Sequence, residues 1–138
     1  KNIRFYKPSR KILIIDDDQD LANSIKDIVQ SYGKSICDTV FDSYEAMMAI
    51  SDHAYDLIFV DQKLPGLNGT DALFEIDNSI GIDPLISESG RYREPTQVVL
   101  MSANPIEVDK NFKLENFEVI SILQKKNLTK YLALTFAS

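Results

Sequence analysis

Three consecutive carboxylates follow the first aliphatic run of the sequence. The run "ILII" at residues 12–15 leads directly into Asp16, Asp17 and Asp18. Carboxylates this close repel one another, so they are tolerated together only beside a counter-charge such as a metal ion or an ammonium group. One aspartate would be enough to cap a following helix. The cluster therefore predicts a cation site, and Mg²⁺ suits it because this ion takes oxygen ligands and typically uses one or two carboxylates with phosphate oxygens.

Three other polar side chains follow later aliphatic runs. Asp61 comes directly after "DLIFV", Ser102 after "VVLM", and Lys125 two residues after "VISIL". Ligands of parallel α/β sheets bind outside the carboxyl ends of the strands. If these runs are such strands, a carboxylate, a hydroxyl and an ammonium group meet the triple aspartate at one sheet edge.

The aliphatic runs alternate with helix-like stretches, which indicates repeated βα units. We predict five strands, at residues 12–15, 35–40, 57–60, 98–101 and 120–123. Helices are predicted in "DLANSIKDIVQSYG", "SYEAMMAI", "GTDALFEI" and "LTKYLALTF", and one with a poor apolar stripe in "PIEVDKNFKLENF". In the first helix an apolar stripe runs from Leu21 to Tyr32, and Gly33 is placed for the C-terminal cap. The predicted fold class is α/β, with a parallel sheet covered on both faces.

One long connection interrupts the repeats. Residues 77–95 contain two glycines, two prolines and three serines, and they exceed the roughly 2–6 residues that usually join a helix to a strand. We interpret this segment as an insertion within one domain that spans residues 11–138. Residues 1–10 are rich in Lys and Arg and are interpreted as a basic tail or linker.

Composition limits the classes of protein. The 138 residues are 44% hydrophobic and 26% charged, as in a globular domain with one core. The net charge of −6 argues against direct binding of nucleic acid by this segment. No apolar run approaches the roughly 18 residues that cross a bilayer, so we predict a cytoplasmic protein without membrane partners.

The joint pattern resembles the receiver domain of two-component response regulators. The fragments that carry the resemblance are, in order, "ILIIDDD", "FVDQKLPGLNG", "VVLMSA" and "ILQKK". The resemblance implies a flavodoxin-like (βα)5 fold, a doubly wound five-stranded parallel sheet with strand order 2-1-3-4-5. It also implies a signalling domain that takes a phosphoryl group from a sensor histidine kinase or a histidine phosphotransfer protein and then switches conformation. Such a domain assists its own phosphorylation and dephosphorylation and is not otherwise an enzyme.

The resemblance assigns a role to each acidic residue of the predicted site. Asp61 would be the phosphoacceptor. Asp17 would bind Mg²⁺ directly and Asp16 mainly through water, while Asp61 and the backbone carbonyl of Lys63 would supply the remaining protein ligands.

The resemblance also assigns the hydroxyl and the lysine. Ser102 would donate a hydrogen bond to a phosphoryl oxygen, and Lys125 would pair with another. Lys125 is preferred to Lys126 because Leu132, seven residues after Lys125, then takes the place of the family's inward leucine in the last helix.

Two positions depart from the family pattern. Lys126 stands where most relatives have a proline, often in a cis peptide, so we predict a trans peptide and a differently shaped loop. Ile122 stands where many relatives have a Tyr or Phe that turns inward on phosphorylation. We therefore expect less repacking of the usual output face. The insertion at residues 77–95 is then either the output surface or an exposed segment without a partner, and both interpretations stay open. The partner that receives the signal is left open between a downstream effector and a second copy in a homodimer.

The loop after Asp61 contains residues with special backbone conformations. Pro65 stiffens a turn, and Gly66 and Gly69 are predicted to adopt positive φ close to the metal. A plain strand-to-helix turn would use the same residues, so these residues indicate either a loop shaped for the metal or an ordinary turn.

Two alternatives from other classes are also open. The segment "IIDDDQD" fits the start of a haloacid-dehalogenase-like phosphatase, with Asp16 as nucleophile and Asp18 as general acid. That family needs a later acidic pair for Mg²⁺, whereas Glu118 is the last acidic residue of this chain and precedes Lys125. The other alternative is a pseudo-receiver, an interaction module that is never phosphorylated. Such domains usually lack the acceptor or an acidic ligand, and both are present here.

Overall fold

Strands and helices alternate along the chain as the sequence predicts. The structure is a computed structural model that describes residues 10–33, 35–80, 94–104 and 113–136. Its elements are β1 Arg10–Ile15, α1 Gln19–Ser31, β2 Ser35–Val40, α2 Ser43–Asp52, β3 Leu57–Asp61, α3 Gly69–Ile80, β4 Thr96–Met101, β5 Phe117–Leu123, a 3₁₀ turn at Lys125–Asn127 and α4 Leu128–Phe136. The predicted helix at residues 105–117 falls mostly outside the described residues, and its last residue belongs to β5. Within the described segments, no helix has the length and apolarity that crossing a bilayer requires.

The strands form one parallel sheet with the order β2-β1-β3-β4-β5. This is the predicted order. All five residues of β3 and the last four of β1 are buried, as expected for central parallel strands that are covered on both faces. Because every strand runs in the same direction, the carboxyl ends of β1, β3, β4 and β5 share one edge of the sheet.

Side chains of the central strands alternate between two apolar layers. Leu13 and Ile15 lie in the layer that α2 and α3 cover. Ile12 and Ile14 lie in the opposite layer, which α1 and α4 cover. The helices therefore cover both faces of the sheet.

Helix α1 packs against α4 and ends at the predicted glycine. Its fully buried residues are Ala22, Ile25 and Val29, and the ring of Tyr32 stacks on that of Phe136 with centroids 6.4 Å apart. Gly33 follows the cap with a φ of 86°, a left-handed conformation that favours glycine. The predicted stop of the helix is therefore confirmed.

The segments interpreted as a tail and an insertion are only partly described. β1 begins at Arg10, the last residue of the predicted tail. Helix α3 continues to Ile80 and β4 begins at Thr96, so the first residues of the predicted insertion are helical. Residues 1–9 and 81–93 lie outside the described part of the chain.

A buried carboxylate connects α3 to the start of β5. Asp77 is 7% exposed, and its Oδ1 accepts hydrogen bonds from the backbone N–H of Asn116 at 2.7 Å and from the Asn116 side-chain amide at 2.9 Å. Its Oδ2 accepts the backbone N–H of Glu115 at 2.9 Å. The backbone carbonyl of Asn116 in turn accepts the N–H of Thr96 at 2.9 Å. Asp77 thus helps to set where β5 begins beside β4.

We expect Asp77→Ala to lower the free energy of unfolding by about 2–4 kcal/mol, because buried donors of Asn116 lose their charged acceptor. Urea denaturation followed by circular dichroism measures the change. Glu75→Ala is the matched control, since Glu75 is exposed on the same helix and should change stability by less than about 0.5 kcal/mol. Equal effects of the two substitutions would contradict the role given to Asp77.

Candidate functional site

The polar residues predicted to meet do so at the carboxyl edge of the sheet. Asp16 directly follows β1, Asp61 is the last residue of β3, Ser102 directly follows β4, and Lys125 begins the 3₁₀ turn after β5. The ladders continue to these ends, since the N–H of Ser102 donates to the carbonyl of Leu123 at 2.9 Å. The sheet therefore brings together residues that are distant in the sequence.

Lys125 bridges two buried carboxylates. Its Nζ lies 2.9 Å from Oδ2 of Asp61 and 3.1 Å from Oδ2 of Asp16. Asp16 is fully buried and Asp61 is 4% exposed. Lys126 is exposed, and Leu132 is fully buried in the core, as the choice of Lys125 over Lys126 required.

The surroundings perturb the titration of Asp16. Burial raises the pKa of Asp16 from 3.8 to about 6. The hydrogen bond from the N–H of Asp18 and the ammonium of Lys125 act in the opposite direction and lower this pKa. Burial works against the charge on Lys125, but its hydrogen bonds to Asp61 and Asp16 raise its pKa overall. Because the pKa of Asp16 is higher in the folded protein than in the unfolded chain, ionisation of this group lowers stability as the pH rises from about 4 to 6. At neutral pH the ionised site therefore favours a further cation.

Three carboxylates are placed to share a metal ion. Asp16, Asp17 and Asp61 each offer an oxygen within 4.8 Å of the oxygens of the other two. Oδ2 of Asp16 is buried and accepts no hydrogen bond of good geometry within the described residues, although the Nζ of Lys125 lies 3.1 Å away. Asp17 is exposed and leaves the cluster open to solvent. Hard oxygen donors with one open side fit Mg²⁺, which keeps several of its waters.

Asp18 has a structural role that differs from those of Asp16 and Asp17. Its Oδ1 accepts the N–H of Leu21 at 3.1 Å and caps α1. Its own N–H donates to Oδ1 of Asp16 at 2.9 Å. The helix-cap interpretation is therefore correct for Asp18 alone, and the capped turn also orients the carboxylate of Asp16.

The loop after β3 approaches the Asp61 carboxylate closely. The N–H of Lys63 donates to Oδ1 of Asp61 at 3.1 Å. Gly66 has a φ of 82°, as predicted. The predicted positive φ of Gly69 is wrong, because only Gly33 and Gly66 have this conformation among the described glycines. Gly69 is needed for close approach instead, since a Cβ there would lie 2.5 Å from the backbone oxygen of Asp61.

Ser102 directly follows β4, the strand next to the one that ends at Asp61. Met101, the preceding residue, pairs with Asp61 in the sheet. Ser102 is 5% exposed, and its Oγ accepts the N–H of Asn104 at 3.1 Å. A hydroxyl that accepts one hydrogen bond keeps its own hydrogen for donation, so Ser102 can donate to a group bound at this edge.

The two predicted departures lie at the end of β5. Ile122 is partly buried and packs against the layer covered by α2 and α3. No cis peptide bond occurs in the described part of the chain, so the predicted trans peptide before Lys126 is confirmed. The 3₁₀ turn at Lys125–Asn127 leads directly into α4.

Gln62 and Thr70 lie beside this site, and no pattern in the sequence predicts their pairing. The side-chain amide of Gln62 exchanges two hydrogen bonds with Thr70, at 3.0 and 3.2 Å. Asn68, directly before α3, is a recognisable helix cap, whereas a glutamine between two polar residues matches no motif. Only the fold shows that it faces the first turn of α3.

The sequence matches the family described as "Response regulator receiver domain" over residues 12–132. It is 30% identical over 94 residues to the autoinducer 2 sensor kinase/phosphatase LuxQ of Vibrio vulnificus, an alignment that covers 67% of this chain and 11% of LuxQ. It is 29% identical over 105 residues to the transcriptional regulatory protein CpxR of Klebsiella pneumoniae, covering 76% of this chain and 38% of CpxR. The chain thus corresponds to only a part of these relatives.

Solved structures share the fold. The N-terminal domain of a response regulator/sensory box/GGDEF 3-domain protein from Carboxydothermus hydrogenoformans superposes with a TM-score of 0.67 at 25% identity, covering 91% of this chain and 90% of that one. The response regulator protein TrrA from Thermotoga maritima, in complex with Mg²⁺-BeF, superposes with a TM-score of 0.62 at 20% identity, covering 89% and 98%. Together with the match over residues 12–132, these findings establish that the chain belongs to the response regulator receiver domain family.

Proposed function

We propose that this chain is a phosphoacceptor domain that takes a phosphoryl group onto Asp61 from a sensor histidine kinase or a histidine phosphotransfer protein. The observation that carries the proposal is the environment of the Asp61 carboxylate. Lys125 contacts one of its oxygens and the N–H of Lys63 contacts the other, while the carboxylates of Asp16 and Asp17 lie beside it. A carboxylate held in this way is oriented as a nucleophile next to positive charge.

The same residues would hold a magnesium ion. Asp17 and Asp61 would supply carboxylate oxygens directly, Asp16 would hold the ion mainly through water, and Lys63 would supply its backbone carbonyl. Bound Mg²⁺ would neutralise oxygens of the transferring phosphoryl group. The proposal is supported by the buried Oδ2 of Asp16, which accepts no hydrogen bond of good geometry within the described residues.

The transfer is an in-line displacement at phosphorus. An oxygen of Asp61 forms the new P–O bond while the P–N bond to the donor imidazole breaks and the imidazole leaves with its electron pair. The ammonium of Lys125, which contacts Asp61 directly, would also pair with a phosphoryl oxygen. The hydroxyl of Ser102 would donate to another. These preorganised donors stabilise charge that develops on the phosphoryl group.

The phosphatase alternative receives less support from the geometry. It requires Asp18 to carry and deliver a proton, but Oδ1 of Asp18 accepts the N–H of Leu21 as the cap of α1. That oxygen is therefore already engaged in capping the helix. The pseudo-receiver alternative does not explain why the acceptor, the acidic residues and Lys125 converge.

We further propose that phosphorylation changes the surface presented to a downstream effector or to a second copy of the chain, in the cytoplasm. Ile122 packs against the core and has no ring that could turn inward. We therefore propose the insertion at residues 77–95 as an alternative output surface. Most of that segment lies outside the described residues.

Incubation with acetyl phosphate and Mg²⁺ should add one phosphoryl group to the protein, because Asp61 is an oriented nucleophile. Intact-mass analysis measures the adduct, and hydroxylamine should remove it as an acyl phosphate. Asp61→Asn should abolish the adduct, whereas Asp71→Asn, on the exposed face of α3, should retain it. An adduct that persists in Asp61→Asn would exclude Asp61 as acceptor, and phosphate-ester turnover lost only in Asp16→Asn would support the phosphatase.

Asp17→Ala should weaken Mg²⁺ binding by about tenfold or more, since loss of about 1.4 kcal/mol from one charged ligand corresponds to this factor. Asp18→Asn should change the affinity by less than about threefold, because asparagine also caps helices and Asp18 is not one of the three clustered carboxylates. Titration calorimetry measures both. Similar losses in the two variants would show that the ligands within the triple aspartate are wrongly assigned.

A further inference from the structure

The side chain of Gln62 closes the loop that contains Lys63. Its Oε1 accepts the backbone N–H of Thr70 at 3.0 Å, and its Nε2 donates to Oγ1 of Thr70 at 3.2 Å. The backbone carbonyl of Gln62 accepts the N–H of Gly69 at 2.8 Å. Three hydrogen bonds therefore join the residue after Asp61 to the first two residues of α3.

The neighbouring groups determine how this amide is oriented. Oγ1 of Thr70 donates its single hydrogen to Oδ1 of Asn68 at 2.8 Å, so toward Gln62 it can only accept. The backbone N–H of Thr70 can only donate. The carbonyl of the Gln62 amide must therefore face the N–H of Thr70, and its NH₂ group must face the hydroxyl. A side chain that could only donate or only accept would not replace it.

The closed loop carries both backbone groups that the site requires from Lys63. The N–H of Lys63 donates to Oδ1 of Asp61, and its carbonyl is the proposed metal ligand. The backbone of Gln62 is itself fixed on the sheet, because its N–H donates to the carbonyl of Met101 at 2.7 Å. Gln62, which precedes Lys63, is thus hydrogen-bonded both to β4 and to the first turn of α3. These bonds limit the movement of Lys63.

Gly69 makes this closure tight. A Cβ at Gly69 would lie 3.1 Å from the Cα of Gln62 and 2.5 Å from the backbone oxygen of Asp61. The first turn of α3 consequently rests against the backbone on either side of the Asp61–Gln62 peptide. A displacement of this turn would be transmitted directly to Asp61 and Lys63.

We propose that Gln62 is a positioning residue of the phosphoacceptor site, acting through its amide pair with Thr70 to hold the N–H and carbonyl of Lys63 at Asp61 and the metal. The proposal rests on the proposed function for its metal-binding consequence, but its structural part concerns the metal-free protein. A competing explanation is that Gln62 only caps α3. Capping alone predicts a loss of stability without a change at Lys63.

The test compares Gln62→Met, which keeps the length of the side chain and removes both hydrogen bonds, with Thr70→Val and Thr70→Ser. Valine removes the hydroxyl and keeps the branched shape, whereas serine keeps the hydroxyl. Tyr55→Phe is the stability control, because it removes a 2.7 Å hydrogen bond to Asp38 at the opposite end of β3. Each variant is measured without metal by ¹⁵N relaxation of the backbone amides of residues 63–68, in which Pro65 has no N–H, and then by Mg²⁺ titration and by thermal unfolding.

In Gln62→Met we expect the order parameters of residues 63–68 to fall from roughly 0.85 to below about 0.6 and the Kd for Mg²⁺ to rise about five- to tenfold. Thr70→Val should show a smaller change in the same direction, and Thr70→Ser and Tyr55→Phe should resemble the wild type at these residues. The double variant Gln62→Met/Thr70→Val should add little to Gln62→Met, because the two side chains act as one pair.

Unchanged order of residues 63–68 in Gln62→Met, with only a lower unfolding temperature, would overturn the proposal and leave Gln62 as a helix cap. The same holds if Tyr55→Phe weakens Mg²⁺ binding equally. If the wild type binds no Mg²⁺ and is not phosphorylated, the proposed function fails. The relaxation data on the metal-free variants then still decide whether Gln62 positions Lys63.

Discussion

The ion pairs of Lys125 with Asp16 and Asp61 are the interaction on which the site depends. Two buried carboxylates repel each other strongly in surroundings of low dielectric constant, and removal of a shared cation would leave both uncompensated. Lys125 lies just after β5, so its side chain must pass the end of β4 to reach β3 and β1. The electrostatic balance of the site is therefore a property of the whole sheet and of its strand order.

Hydrogen bonds from neighbouring elements keep the charged residues of the site in position. Asp18 caps α1 and orients Asp16 through its backbone N–H. Asp77 joins α3 to the residues that precede β5, and so acts on the strand that leads to Lys125. In both cases a carboxylate outside the proposed metal cluster contributes structure, which explains why the many acidic residues of the chain do not share one role.

The sequence was informative wherever chemistry and periodicity coincide. Asp61 and Lys125 could be predicted because each follows an aliphatic run, and parallel strands bring such positions to one edge. The role of Gly69 was misjudged, since a glycine that avoids a steric clash and one that adopts positive φ look the same in a sequence. The Gln62–Thr70 pair could not be predicted, because amide partners depend on side-chain orientation rather than on spacing. The partners of Asp77 are also 38 and 39 residues away.

The pairing of β4 with β5 contains a shift of register. Val98 pairs with Val119, but Val99 pairs with Ser121, so Ile120 has no opposite residue. An extra residue reverses which sheet face the following side chains point to. The number of residues between this shift and Lys125 is therefore constrained, because it determines which face of the sheet the later side chains point to. A substitution in β5 leaves the register unchanged, whereas the gain or loss of one residue between the shift and Lys125 would reverse the direction in which the lysine side chain leaves the sheet.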